Sequence, residues 1–209
     1  IALAAFLIEL LFSTLFPRQR RSLVLAALAL VFVVSAFSTL KVALGPVLRR
    51  VSVTVRNLAP ELQGFSIVHL SDLHLGNLTT AAQLRRIVER VNALTPDLIC
   101  VTGDVLDGDI CRDEEDCEIL ADLHARHGVV AVTGNHEFYA GIDKFLELAR
   151  RSGWQVLRNQ SLVIGGRISV IGLEEDSAER FKLPGPDLDK ALRHAPVDIP
   201  RILLYHRPA

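Results

Sequence analysis

The chain has 209 residues, a formal net charge of -1 and 50% hydrophobic residues. That charge gives no global ground for binding nucleic acid, and the sequence contains neither internal repeats nor low-complexity runs that would mark a solenoid or a disordered protein. The apolar content is high for a soluble domain, and its excess is confined to residues 1–48.

Residues 1–16 are apolar apart from Glu9, Ser13 and Thr14, and Pro17-Arg18-Gln19-Arg20-Arg21 interrupts them. Residues 22–40 then run for 19 positions without a charge, enough to cross hydrocarbon, which needs about 18 or more. Two transmembrane helices are expected in a membrane anchor over 1–48. The first is expected to be cut short, because a chain that begins at Ile1 and contains no Met reads as a piece of a longer one. A signal peptide fits less well: the second run exceeds an apolar signal core and no small-residue cleavage site follows it cleanly. Arg18, Arg20 and Arg21 between the two runs favour a cytoplasmic loop and an exported domain, although Lys41, Arg49 and Arg50 flank the far end. The expected location is thus a cell membrane, with the bilayer as partner and the domain on its extracytoplasmic side.

Gly45-Pro46 ends the anchor, and a second domain is expected over 51–209. Val51-Ser52-Val53-Thr54-Val55 alternates with period 2 and predicts an entry strand. A strand is predicted over 65–70, a helix from the Thr79-Thr80 cap to about residue 94, and a strand over 97–102. Asp113-Glu114-Glu115-Asp116 opens a helix expected to reach about residue 126, its acids matching the helix dipole. A strand follows over 129–132 and a helix over 142–151. The segments 162–164 and 168–171 read as a hairpin through Gly165-Gly166. A short helix is expected over 188–193 and a last strand over 202–205. Glu174-Glu175-Asp176 follows the hairpin strand and could approach the rim of the sheet, but a solvated loop is the favoured reading. Cys100 reads as a small buried apolar residue. Cys111 and Cys117 could pair in an exported domain, with their geometry left open. The strand-helix alternation through residue 150 predicts βαβ units, hence an α/β fold with parallel strands.

Four apolar strands end on metal-ligand side chains: Ser71-Asp72-Leu73-His74 after the first, Gly103-Asp104 after the second, Gly134-Asn135-His136-Glu137 after the third and His206 after the last. Sites in α/β sheets lie beyond the carboxyl ends of the strands, so these distant pieces should converge on one rim. Asp, Asn and His together suit hard or borderline divalent metals such as Mn, Fe, Zn or Co. Each residue alone is more often a turn former or a structural histidine; the argument is the fourfold repetition of the placement. His69 is read as structural, and His124, His127 and His194 as surface residues.

This order of D-x-H, G-D, G-N-H-E and a lone His resembles the calcineurin-like metallophosphoesterase family over about residues 64–206. The family's final G-H-x-H is expected beyond Ala209. The resemblance implies a four-layer α/β/β/α sandwich of two mixed sheets and a phosphohydrolase using two divalent ions. It implies Asp72 and His74 on one ion, Asn135 and His206 on the other, and Asp104 bridging both. It also implies that His136 stays off the metals and supports the departing oxygen or the phosphoryl group. Glu137 is then a candidate to orient the His136 ring, and Asp107 either orients a ligand or caps its turn. The substrate would be a phosphomonoester or phosphodiester. Alternatives are a lipid-directed pyrophosphatase of the UDP-diacylglucosamine hydrolase type, for which a membrane tether would suit a lipid substrate, and a non-catalytic scaffold that keeps the fold.

Overall fold

The computed structural model describes residues 6, 8, 10, 20–43, 45–55, 58–76, 79–108 and 113–207. They fall into two units, Ile1–Arg50 and Val51–Ala209. In the first unit, helix α1 (Arg20–Ala43) contains the span Ser22–Leu40, with a mean hydropathy of 2.6. Among the described residues it is the one helix long and apolar enough to cross a membrane. Its Leu, Val and Phe side chains stay exposed along the whole span. Phe6, Ile8 and Leu10 are helical, but most of the expected first membrane helix, with Arg18, lies outside the described residues.

The second unit is built on two sheets. The first holds β1 (Ile67–Leu70), β2 (Leu98–Thr102), β3 (Val129–Val132) and β4 (Gln155–Val156), in that spatial order and all parallel. Helices α2 (Ala81–Asn92), α3 (Asp113–Ala121), α4 (Asn135–Ala140) and α5 (Ile142–Arg151) provide the crossovers. The second sheet holds β5 (Gln160–Ile164), β6 (Ile168–Gly172) and β7 (Arg201–Leu204); β5 and β6 are antiparallel, and β6 and β7 parallel. Helix α6 (Leu188–Leu192) lies before β7.

Alternation along β2 shows how the layers stack. Ile99 and Val101 face a core with Leu84 and Val88 of α2, Leu120 of α3 and Phe145 of α5. Leu98 and Cys100 point the other way and meet Ile164, Val170 and Leu204 of the second sheet. On the outer face of β6, Ile171 packs with Ala191 of α6. Every residue of β2 is therefore buried, which is why this strand reads as an unbroken apolar run rather than an alternating one.

Local chemistry sets the boundaries. Thr80 caps α2: its hydroxyl accepts from the Gln83 N–H at 3.3 Å, and Gln83 returns a bond to the Thr80 N–H at 2.9 Å, a reciprocal capping box. Helix α3 stops at Ala121, five residues short of the expectation. The Asn92 side chain takes over there, donating to the Asp122 carbonyl at 2.6 Å and accepting from the His124 N–H at 2.9 Å. The His127 N–H then donates to the Asp97 carbonyl, drawing the chain back to the sheet. The predicted entry strand over 51–55 is absent: Val51 and Val53 are 81% and 78% exposed and the segment has no ladder partner among the described residues. Alternating valines favour a strand only where a neighbouring edge satisfies the backbone. Of the two cysteines considered as a pair, Cys117 is buried on α3 and Cys111 lies outside the described residues.

Candidate metal centre and catalytic rim

The rim forms beyond the carboxyl ends of β1, β2 and β3, joined by the segment after β7. Asp72, His74 and Asp104 all adopt left-handed backbone conformations, with φ of 56°, 45° and 51°. Such a conformation costs about 1–3 kcal/mol at a residue with a side chain and clusters at functional sites. Three interstrand bonds hold it here: the Asp72 N–H donates to the Gly103 carbonyl, that of His74 to Asp104, and that of Leu75 to Val105. Gly103 itself sits at φ 81°, and a Cβ there would lie 2.4 Å from the Gly134 nitrogen. A Cβ on Gly134 would meet Asp104 Oδ1 at 2.3 Å. The two glycines let the loops after β2 and β3 touch.

Glu137 pins that contact. Fully buried on the first turn of α4, it accepts from the backbone N–H groups of Asp104 (2.8 Å), Val105 (2.7 Å), Leu106 (3.1 Å) and Gly134 (2.6 Å). Burial pushes its carboxyl above the usual range, against the pull of those four donors. Glu137 thus braces two loops and does not orient the His136 ring. Asp107 takes that place, its Oδ1 3.2 Å from His136 Nδ1. Gly134 and Glu137 stand in the N-cap and N3 positions of a helix start, a spacing already visible in the sequence.

Asp104 is the centre of the rim. Its Oδ2 lies 3.9 Å from His74 Nε2 and 3.4 Å from His206 Nε2, and its Oδ1 accepts from the His136 N–H at 2.9 Å. Burial alone would raise its carboxyl, but the bonds from His206 and the His136 N–H and the nearby imidazoles hold it below the usual range. The same bond to Asp104 pushes His206 up to about 9. Asp72 Oδ1 is 3.8 Å from His74 Nε2, and Ser71 Oγ donates to Asp72 Oδ2.

These residues fit a divalent ion. One ligand atom each from Asp72, His74 and Asp104 lie within 4.8 Å of one another. Donors about 2.0–2.2 Å from a common ion stand no more than about 4.4 Å apart, so the 3.8 and 3.9 Å spacings need no rearrangement. His206 Nδ1 donates to the Thr102 carbonyl at 2.7 Å, the usual support for a metal-binding histidine; an ion taking the place of the Nε2 proton would meet that nitrogen's lone pair beside Asp104. A second group, His74, Asp107 and His136, also meets the ligand spacing.

The profile of the calcineurin-like phosphoesterase family matches residues 65–209. The chain belongs to this family. It is 32% identical over 191 residues to a zebrafish (Danio rerio) transmembrane protein with a metallophosphoesterase domain, covering 87% of this chain and 44% of that protein. It is also 32% identical over 163 residues to an uncharacterized metallophosphoesterase of Helicobacter pylori, covering 78% of this chain and 43% of the relative. The chain therefore spans less than half the length of these relatives. Among solved structures, the NAD nucleotidase of Haemophilus influenzae aligns with a TM-score of 0.45 at 17% identity, over 68% of this chain and 38% of the nucleotidase.

Within this member of the family, the residues singled out from the sequence do not all converge. His74 and His206 flank Asp104 Oδ2, and Asp72 lies beside His74. His136 lies alongside, its ring edge-on to His74 with centroids 4.7 Å apart. Asn135 is turned to a different partner: its Oδ1 accepts from Arg207 Nη2 at 2.6 Å. Arg207 Nε in turn lies 3.3 Å from Glu175 Oε1. Glu174 and Glu175, read as a solvated loop, are instead 2% and 0% exposed. Thr133 Oγ1 donates to Glu174 at 2.5 Å and Arg158 Nε lies 2.5 Å from it, while Arg207 compensates Glu175. Burial raises the Glu175 carboxyl, and Arg207 and His206 pull it back. His69 sits on β1 with its Nε2 2.6 Å from Thr102 Oγ1. His127 stacks on Phe65 with centroids 5.8 Å apart.

Proposed function

We propose that the chain is the anchor and catalytic core of a membrane-bound phosphohydrolase that cleaves phosphomonoesters or phosphodiesters with two divalent ions. The observation that carries this is the position of Asp104 Oδ2 between two imidazoles from different sheets, His74 at 3.9 Å and His206 at 3.4 Å. One carboxylate shared by two ligand sets is what a two-metal site requires. Asp72 and His74 would complete one side. His206 and Asn135 would complete the other, with Asn135 released from Arg207. Mn, Fe, Zn and Co all suit this donor set.

Bound there, the ions would neutralise the phosphoryl oxygens and lower the pKa of a shared water. Asp104 holds its place through the His136 N–H and the Glu137 brace. His136 is the proposed catalytic residue: with Nδ1 on Asp107, its Nε2 is free to donate to the departing oxygen. Asp107 acts through it as a positioning residue. Two membrane helices over 1–48 and a catalytic domain over 51–209 on the extracytoplasmic side complete the proposal; the 19-residue span Ser22–Leu40 supports the second helix.

Asp104→Asn tests the core of the reading. Metal-dependent hydrolysis of bis(4-nitrophenyl) phosphate should fall by about a thousandfold or more, since water activation and charge neutralisation fail together. Near wild-type turnover with two ions still bound per chain would refute the bridging role.

A further inference from the structure

We propose that Tyr139 and Phe181 form an aromatic ledge that binds the leaving group, and that the preferred substrate is a phosphoester whose leaving alcohol carries a planar aromatic ring. This rests on the proposed function and deepens it by naming the substrate class. Tyr139 lies on α4, one turn after His136, and Phe181 ends the 3-10 helix Asp176–Phe181. Although distant in sequence, the two rings meet with centroids 6.1 Å apart and planes at 50°. Both stay open to solvent, Tyr139 at 51% and Phe181 at 46%. Phe181 is not loose, because it rests on the buried Phe138 with centroids 5.9 Å apart.

The pair leads directly to the chemistry. Tyr139 contacts the His136 ring at 5.7 Å and 66°, and His136 contacts His74 at 4.7 Å. A line of rings thus runs from the candidate metal centre, past the residue that faces the departing oxygen, to an exposed apolar surface. A group leaving past His136 would meet that surface next. Aromatic pairs with centroids at about 4.5–7 Å leave ring faces on which a third ring can stack. The flanks argue for a ring rather than an acyl chain: Glu179, Arg180 and Lys182 beside Phe181 are all exposed, so the apolar surface is bounded by charge on that side. A long chain would need a continuous apolar groove.

Calorimetric binding of three non-hydrolysable probes to the Mn-loaded full chain would test this. The probes share one anionic head: methylphosphonate, naphthylphosphonate and decylphosphonate. Wild type should bind naphthylphosphonate more tightly than methylphosphonate by on the order of tenfold, the scale of one ring stacked on an aromatic side chain. Tyr139→Ala and Phe181→Ala should each remove most of that gain and leave methylphosphonate binding unchanged, while Tyr139→Phe should keep it. The ledge is refuted if naphthylphosphonate shows no gain, or if the alanine variants weaken methylphosphonate equally. It is also refuted if decylphosphonate gains and loses as much as the aryl probe, which would mark an acyl-chain surface. Failure of all three probes to bind would overturn the functional reading of the site, and the ledge with it.

Discussion

Replacing Glu137 by Gln isolates the brace beneath the rim. The change keeps the shape of a fully buried side chain but halves its acceptors. Oε2 serves the Gly134 and Asp104 N–H groups, and Oε1 those of Val105 and Leu106. The glutamine oxygen can serve one of these pairs; its NH2 group must then face the other pair, donor against donor. Two buried N–H groups lose their acceptor at about 1–3 kcal/mol each, a loss of about 2–6 kcal/mol. A domain stable by about 5–15 kcal/mol survives most of that range. Urea denaturation followed by the fluorescence of the single tryptophan, Trp154, which is buried at 6% exposure, would read it. The same variant should bind Mn about 10–100-fold more weakly, the usual effect of removing a supporting partner of metal ligands. A stability within about 1 kcal/mol of wild type, with unchanged metal affinity, would refute the role given to the four bonds.

His136→Ala should keep its metal by elemental analysis while turnover drops about a hundredfold or more; loss of metal would instead place His136 with His74 and Asp107 as a ligand. Asp97 is held below the usual carboxylate range chiefly by the Ser66 N–H, assisted by the Ser66 hydroxyl and Arg126. A carboxyl held low in the fold contributes stability that is complete above its unfolded value, about 4, and is lost as pH falls through the lower folded value. Asp97→Asn should therefore flatten the decline in stability below about pH 4, and an identical acid profile would remove Asp97 as its source. In a Cys111→Ser background, Asp198→Cys at an exposed site should react with an impermeant thiol reagent on intact cells if the domain is extracytoplasmic; reaction only after lysis would put the domain inside.

Much of the first sheet could be read directly. β2 and β3 are short apolar runs because they are buried on both faces; β1 is only partly buried and was legible from its apolar residues and the Ser71-Asp72 turn that follows. Helix α5 matches its expected ends because its apolar face and its flanking Gly141 and Gly153 are local signals. The misses have a common cause in partners distant along the chain. Val51–Val55 carries strand-like alternation but no neighbouring edge. Helix α3 is ended by Asn92, about 30 residues upstream. Glu174 and Glu175 look solvated until Arg158 and Arg207 arrive to pair with them. For the rim, residue types and strand ends pointed to Asp72, His74, Asp104 and His206, which lie near one another in the structure. The work of Glu137 and Asp107, and the hold of Arg207 on Asn135, depend on how the loops meet in space, and spacing along the chain carries no record of that.

Because His74 follows the first strand of the first sheet and His206 the last strand of the second, the two imidazoles around Asp104 belong to parts of the chain made at different times. A ribosome delivers Asp72, His74 and Asp104 early, together with the strands that support them. His206 arrives only after β5, β6 and β7, and β7 must settle beside β6 before that ring can reach the carboxylate. Assembly of the rim is thus tied to closure of the sandwich, and a nascent chain holding only the first sheet presents half a ligand set. On the proposed two-ion reading, such a chain would hold at most one ion weakly, and hydrolytic power would be withheld until folding is nearly finished.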